Sequence, residues 1–181
     1  MDGQAERVGQ GGGRMARRAR WQEVGALLLL LLLAGTLRVW LFRHTEVAAR
    51  DSIGFIRMAW QFQSRSWKDV LQDPRTEQHP AYPLLILAAS LPVRHFLSGP
   101  DSVLMQLGAQ LVSVLAGTLL VVPMYYLGRE LFNRTAGFWA AVLFQLLPAS
   151  CRVLSDALSE ATFLLFAATA LYFAVRALRR R

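Results

Sequence analysis

The chain has 181 residues, is 54% hydrophobic and has a mean hydropathy of +0.32, more apolar surface than a soluble domain of this length needs. Twenty basic residues, all arginine except Lys68, face 12 acidic ones for a formal charge of +8. So much hydrophobicity excludes ordinary disorder, charges at the edges of apolar runs argue against a nucleic-acid binder, and the one cysteine, Cys151, excludes a disulfide framework or a cysteine-rich zinc site.

In chain order, residues 1–22 are polar and glycine-rich and carry Arg7, Arg14, Arg17, Arg18 and Arg20. They read as a disordered basic cytoplasmic tail. Val24 to Phe42 is apolar for nineteen residues, with Arg38 its one charge, which suits a spanning helix. A basic stretch before an apolar one also fits a signal peptide. No small-x-small site follows the leucines, and Leu33-Ala34-Gly35 is followed by Thr36, which has no thiol to acylate. An uncleaved anchor is therefore expected.

His44 to Asp101 is a long polar and amphipathic region with six basic and six acidic residues. Within it, Ile53, Ile56 and Trp60 have a loosely helical spacing, as expected of an interfacial helix. Ala81 to Val93 is uncharged for only thirteen residues and contains Pro83 and Pro92, so it reads as interfacial or re-entrant. Ser102 to Leu127 is uncharged for twenty-six residues and spans; its Ala109, Ser113 and Gly117 form a small-residue face for another helix. Thr135 to Cys151 and Ala161 to Val175 are two further uncharged runs.

The predicted fold class is all-α integral membrane, with about four transmembrane helices and interfacial amphipathic helices in a long outer loop, 44–101. If Ala81–Val93 does not span, the tail, the Gly128–Arg134 loop and the C-terminus share one side with five, two and four basic residues, which lysine/arginine bias assigns to the cytoplasm. Both termini are then inside. Arg129 and Arg134 serve orientation, and Asp51, His79, Asp156 and Glu160 share the outer side. If it spans, Asp51 and Asp156 fall on opposite sides.

Three stretches on that side could carry chemistry. Asp51 opens the amphipathic segment; it reads either as an N-cap or as a catalytic carboxylate. His79, in Gln78-His79-Pro80, is a structural histidine or a donor held at headgroup level for a lipid phosphate. Asp156 and Glu160 are four apart, which puts them on one face where the last span begins, with Ser155 as its cap. Acids there complement the helix macrodipole, but Glu160 dipping into a span is costly without a partner. No charge lies near the middle of a span, which argues against an ion path; Arg38 and Glu160 lie nearer span ends.

The order of these features resembles the N-terminal half of the membrane module of GT-C glycosyltransferases, in the protein O-mannosyltransferase and aminoarabinose-transferase branch. The resemblance rests on Asp51–Ala59, on His79-Pro80-Ala81-Tyr82-Pro83-Leu84-Leu85, on Leu127-Gly128-Arg129-Glu130-Leu131-Phe132 with the loop to Arg134, and on Pro148–Glu160. It implies that residues 23–178 are the N-terminal part of a GT-C-like module, with 179–181 a basic end. Ser52 stands where many relatives have a second acid, Phe55 where they have tyrosine, and Ala81 where they have a second proline.

The resemblance implies transfer of a sugar from a polyprenyl-phosphate-linked donor to an acceptor hydroxyl on a lipid, glycan or protein. This would occur, with inversion, on the outer face of a bacterial inner or cell membrane. Asp51 would be the catalytic base, His79 would hold the donor phosphate with Arg152 beside it, and Asp156 and Glu160 would be supporting acids orienting the acceptor or a divalent cation. No metal ligand set is assigned and no nucleic acid is implied. Such enzymes have more spans, so this chain reads as a truncated or partial form that needs a missing C-terminal half or a partner subunit. The alternative is a non-catalytic accessory subunit or degenerate relative.

Overall fold

The computed structural model of the protein describes residues 3–44, 50–73 and 78–180. Ala49, Arg75 and Arg181, and the side chains of Arg7, Arg14 and Arg18, lie outside the described residues. The described elements are α-helices connected by turns and short loops, in keeping with an all-α membrane protein.

Helix α1 runs Gly3–His44, and its Arg20–His44 part is apolar and long enough to cross a membrane. Helix thus extends through the stretch expected to be a disordered tail. Once the apolar span has nucleated, extending a helix fixes only one residue per added hydrogen bond. Helix α2 is Arg50–Ser64 and α3 is Trp67–Gln72. The buried face of α2 is Ser52, Phe55, Met58, Ala59 and Phe62, while Ile53 and Trp60 are exposed. The packing face therefore differs from the one the spacing suggested. Met58 and Phe62 pack with Val70 of α3 and with Leu84 and Leu87 of the next helix, and this tertiary partner decides which face turns inward.

Helix α4 covers Ala81–Phe96. Neither proline interrupts it. Pro83 lies in the first turn, where a missing N–H leaves no intrahelical bond unmade, and the helix continues through Pro92. Helix α5 is Asp101–Leu119, followed through Leu120 by α6, Val121–Leu131. The two meet beside Pro123, which cannot donate to the Leu119 carbonyl; together, Asp101–Leu131 is a second helix long and apolar enough to span.

Helices α4 and α5 form an antiparallel hairpin. Tyr82 meets Ala109 and Ser113, the Ile86 and Ser90 backbones meet Gly108, and Arg94 pairs with Asp101 at 3.3 Å. A Cβ on Gly108 would lie 3.0 Å from the Ser90 nitrogen, so a larger residue would have to push the α4 backbone back. The segment expected to rest flat thus runs along α5, and it reaches only from the level of Ser113 to that of Asp101. It does not extend to the Leu131 end.

Helix α7, Arg134–Leu146, returns along α6. Asn133 caps it by accepting the Ala136 N–H at 2.9 Å, and a Cβ on Gly128 would lie 2.7 Å from Gly137 Cα. The run expected to be one span, Thr135–Cys151, is broken: Leu147 is extended and Pro148 begins a short α8, Pro148–Val153. A residue before proline is pushed out of helical geometry. The 13 residues of α7 rise about 20 Å, short of the roughly 30 Å hydrocarbon core. Helix α9, Glu160–Arg179, is the third helix of spanning length and composition. It buries Ala161 and leaves Phe163, Phe166 and Phe173 exposed, as a lipid-facing helix would.

The helices gather at two ends. At one, Glu23 of α1 pairs with Arg129 of α6 and lies 3.9 Å from Arg134 of α7, and Arg179 of α9 donates to the Leu131 carbonyl at 3.3 Å. At the other, α2, the start of α4 and the turn before α9 meet beside Ser113. The chain therefore passes between the ends four times, through α1, α5–α6, α7–α8 and α9, with the third passage a broken helix.

Candidate active site

The site lies at the end opposite Glu23 and is built from the three stretches that the sequence singles out. Beneath it is a core of Phe55, Ala59, Tyr82, Ile86, Met105, Ala109 and Ala157, drawn from α2, α4, α5 and the turn before α9. Phe55 meets Tyr82 edge to face, with ring centroids 5.0 Å apart. Burying these side chains brings the polar residues beside them together.

Ser52, fully buried, donates its hydroxyl to Asp156 Oδ1 at 3.0 Å. The same oxygen accepts the Ala157 N–H at 2.8 Å. Asp51 precedes Ser52 on α2, within the first turn, and its side chain is exposed. A Cβ on Gly54 would lie 3.0 Å from Gln78 Nε2, so Gln78 packs against this turn of α2 and brings His79 alongside. His79 is exposed, just before α4. Asp51, His79 and Asp156 thus belong to one neighbourhood.

Asp156 and Glu160 do not share a helix face. Asp156 lies in the turn before α9, whereas Glu160 is the first residue of that helix and is exposed. Ser155 does not cap α9; its hydroxyl donates to the Cys151 carbonyl. The turn closes instead through the Arg152 carbonyl, which accepts the Ser155 and Asp156 N–H groups at 3.3 Å each, and through burial of Leu154 and Ala157. The Arg152 side chain is exposed on α8, so its contribution to this geometry comes from its backbone.

Two residues without a sequence-assigned role are central. Tyr82 is 4% exposed. Its hydroxyl lies 2.9 Å from Ser113 Oγ and donates to the Ala109 carbonyl at 3.3 Å, and Ser113 Oγ donates to the Leu158 carbonyl at 3.3 Å. This chain ties α4, and with it His79, to α5 and to the turn before Glu160. Burial pushes the Tyr82 hydroxyl up to about 12; the Ser113 hydrogen bond opposes that shift, and the Glu160 and Asp156 carboxylates add to it.

Arg38 is the second. It is 0% exposed, although it lies in a helix of spanning length. Its Nε donates to Gln145 Oε1 at 3.2 Å, with Nη2 on the same oxygen, and its Nη1 donates to Ser155 Oγ at 3.4 Å and the Ser150 carbonyl at 3.5 Å. Gln145 Nε2 in turn donates to the Gly117 carbonyl at 2.9 Å. A Cβ on Gly117 would lie 3.3 Å from Arg38 Nε, so Gly117 makes room for the guanidinium as well as for helix packing. A charge within a span is costly, and hydrogen bonds to neutral acceptors offset part of that cost. The available signal was its status as the one charge in the first apolar run.

Among the described residues no three His, Cys, Asp or Glu side chains gather where they could hold a metal ion. Asp156 Oδ1 accepts both the Ser52 hydroxyl and the Ala157 N–H.

The arrangement offers an exposed carboxylate, a second carboxylate fixed by a serine, and a histidine in front of a proline turn, all at one end of a helical membrane protein. Searches of curated proteins and of solved structures found no match. The family comparison falls on α5–α9 and includes Asp156 and Glu160. Residues 102–181, somewhat less than half of the chain, match the family model of the dolichyl-phosphate-mannose-protein mannosyltransferases, and in that stretch the chain is similar to that family.

Proposed function

We propose that this protein takes part in transfer of a sugar from a polyprenyl-phosphate donor to an acceptor hydroxyl, with Asp51 as general base. The observation that carries this reading is the Ser52–Asp156 hydrogen bond. It joins the turn bearing Asp51 to the part of the chain that matches the mannosyltransferase family.

Asp51 takes the proton from the acceptor hydroxyl as its oxygen attacks the anomeric carbon. The new carbon–oxygen bond forms as the bond to the phosphate oxygen breaks, and attack from the opposite side inverts the centre. The polyprenyl phosphate leaves with the bonding pair, and His79, with Arg152 at the rim, donates hydrogen bonds to it. Asp156 and Glu160 orient the acceptor. The site faces the outer side of the membrane, and both termini face the cytoplasm. The acceptor class is a lipid, glycan or protein hydroxyl, with further spans or a partner subunit completing the donor groove.

The test is transfer from a polyprenyl-phosphate hexose by the full chain in proteoliposomes, with Asp51→Asn alongside. Loss of product with donor binding retained supports the reading. Undiminished turnover by Asp51→Asn would remove Asp51 from the chemistry, and donor binding without any transfer by the unmodified chain would favour the non-catalytic accessory role.

A further inference from the structure

We propose that Arg38 is a positioning residue that sets the Asp156 turn from inside the first span. The charge sits on α1, fully buried, and its guanidinium reaches α7, α8 and the turn before α9. It touches the end of α7 through Gln145, α8 through the Ser150 carbonyl, and the turn through Ser155 Oγ. Ser155 is the residue before Asp156, and its hydroxyl also holds the Cys151 carbonyl. One side chain thus bridges both sides of the break at Leu147 and the turn that presents Asp156 to Ser52.

Two observations separate this from ordinary packing. Arg38 has no carboxylate within ion-pair distance among the described residues, so it does not neutralise an acid; its partners are a carboxamide, a carbonyl and a hydroxyl. Those partners also lie where backbone order is interrupted: α7 stops at Leu146, and α9 does not begin until Glu160. A planar fork with five donors can serve several acceptors on different segments at once, which a lysine ammonium on a flexible stem does poorly. An apolar side chain at position 38 would fill the space and leave the turn without that tether.

The catalytic arm of the test rests on the sugar-transfer reading, and a second arm does not. In the full chain, Arg38→Met and Ser155→Ala are each expected to lower kcat by roughly 10²-fold, the loss associated with a small misplacement of a reacting group, with donor KM unchanged. The double variant should lose less than the product of the two single losses, because the two residues share a contact, and Arg38→Lys should restore part of the rate. Turnover per folded protein that is unaffected by Arg38→Met would overturn the proposal.

The independent arm uses Asp156→Cys in a Cys151→Ser background and a membrane-impermeant maleimide. Arg38→Met should raise its labelling rate several-fold while leaving a cysteine at exposed Lys68 unchanged. Equal rates at position 156 with and without Arg38 would overturn the proposal even if no transfer is detected in any variant. A parallel rise at Lys68 would also overturn it, by showing general loosening.

Discussion

Ser52 and Asp156, 104 residues apart in the chain, are joined by a 3.0 Å hydrogen bond from the serine hydroxyl to Oδ1. Ser52 is a buried donor on α2, and its acceptor belongs to the turn before α9. The hydrogen bond ties the first turn of α2, which carries Asp51, to the turn before α9.

That relationship predicts the behaviour of Ser52→Ala. Alanine fits the buried position, and the Ala157 N–H remains on Asp156 Oδ1, but the tether between the two segments is gone. A hydrogen bond to a charged group contributes about 1.5–3 kcal/mol, so the chain should lose stability of that order and turnover should fall. Ser52→Thr, which keeps the hydroxyl, should lose less activity than Ser52→Ala. Equal activity of Ser52→Ala and the unmodified protein would show that Asp156 needs no tether.

Asp51→Asn preserves size and hydrogen bonding and removes proton acceptance. Losing a general base typically costs on the order of 10²–10⁴-fold, with donor binding retained. Asparagine is also a good helix-start residue, so stability should hold, and a thermal melt separates the two effects. His79→Ala should instead weaken donor binding, and His79→Lys should recover much of it.

Tyr82 gives a pH prediction. Its hydroxyl is raised from 10.0 to about 12 by burial, so the folded state holds the proton more tightly than the unfolded state does. The stabilisation is fully present below pH about 10 and is lost as pH rises through about 12, amounting to roughly 2–3 kcal/mol at about 1.4 kcal/mol per unit. Tyr82→Phe should remove this alkaline loss while breaking the Ser113 link. Phenolate absorbance during titration, compared between the two proteins, checks it; a tyrosine signal at ordinary pH assigned to Tyr82 would contradict the burial.

The α6–α7 hairpin should be intolerant of added bulk. Gly128→Ala places a Cβ 2.7 Å from Gly137 Cα, and overpacking of this kind typically costs about 1–3 kcal/mol. Gly25→Ala, at a position open to space, is the control. Thermal unfolding in detergent should fall for the first and not for the second.

Topology is tested by single cysteines in a Cys151→Ser background. Lys68 and Arg152, both exposed, should label from outside, and Asn133 should be protected. Ser155 is a poor probe because it is 2% exposed. Opposite accessibility for Lys68 and Arg152 would contradict an α4 that stays within the site half of the bundle.

Much of this was legible in the chain. Composition and run length determined an all-α membrane protein, because apolar stretches of about twenty residues have few other stable solutions. The sequence singled out the stretches around Asp51, His79-Pro80 and Pro148–Glu160, and the structure brings Ser52, Gln78 and Asp156 of those stretches to one end of the bundle. Only the tertiary structure decided which face of α2 turns inward, because Phe55 and Ile53 are equally apolar in isolation and Tyr82 and Val70 choose between them. It alone aligned α4 with α5, through a backbone approach at Gly108 that no hydropathy average records. It alone gave Ser52 and Arg38 their partners, 104 and 107–117 residues away. Local pattern reports how a segment meets its solvent, whereas a contact between distant segments depends on which surfaces remain to be buried once the helices have packed.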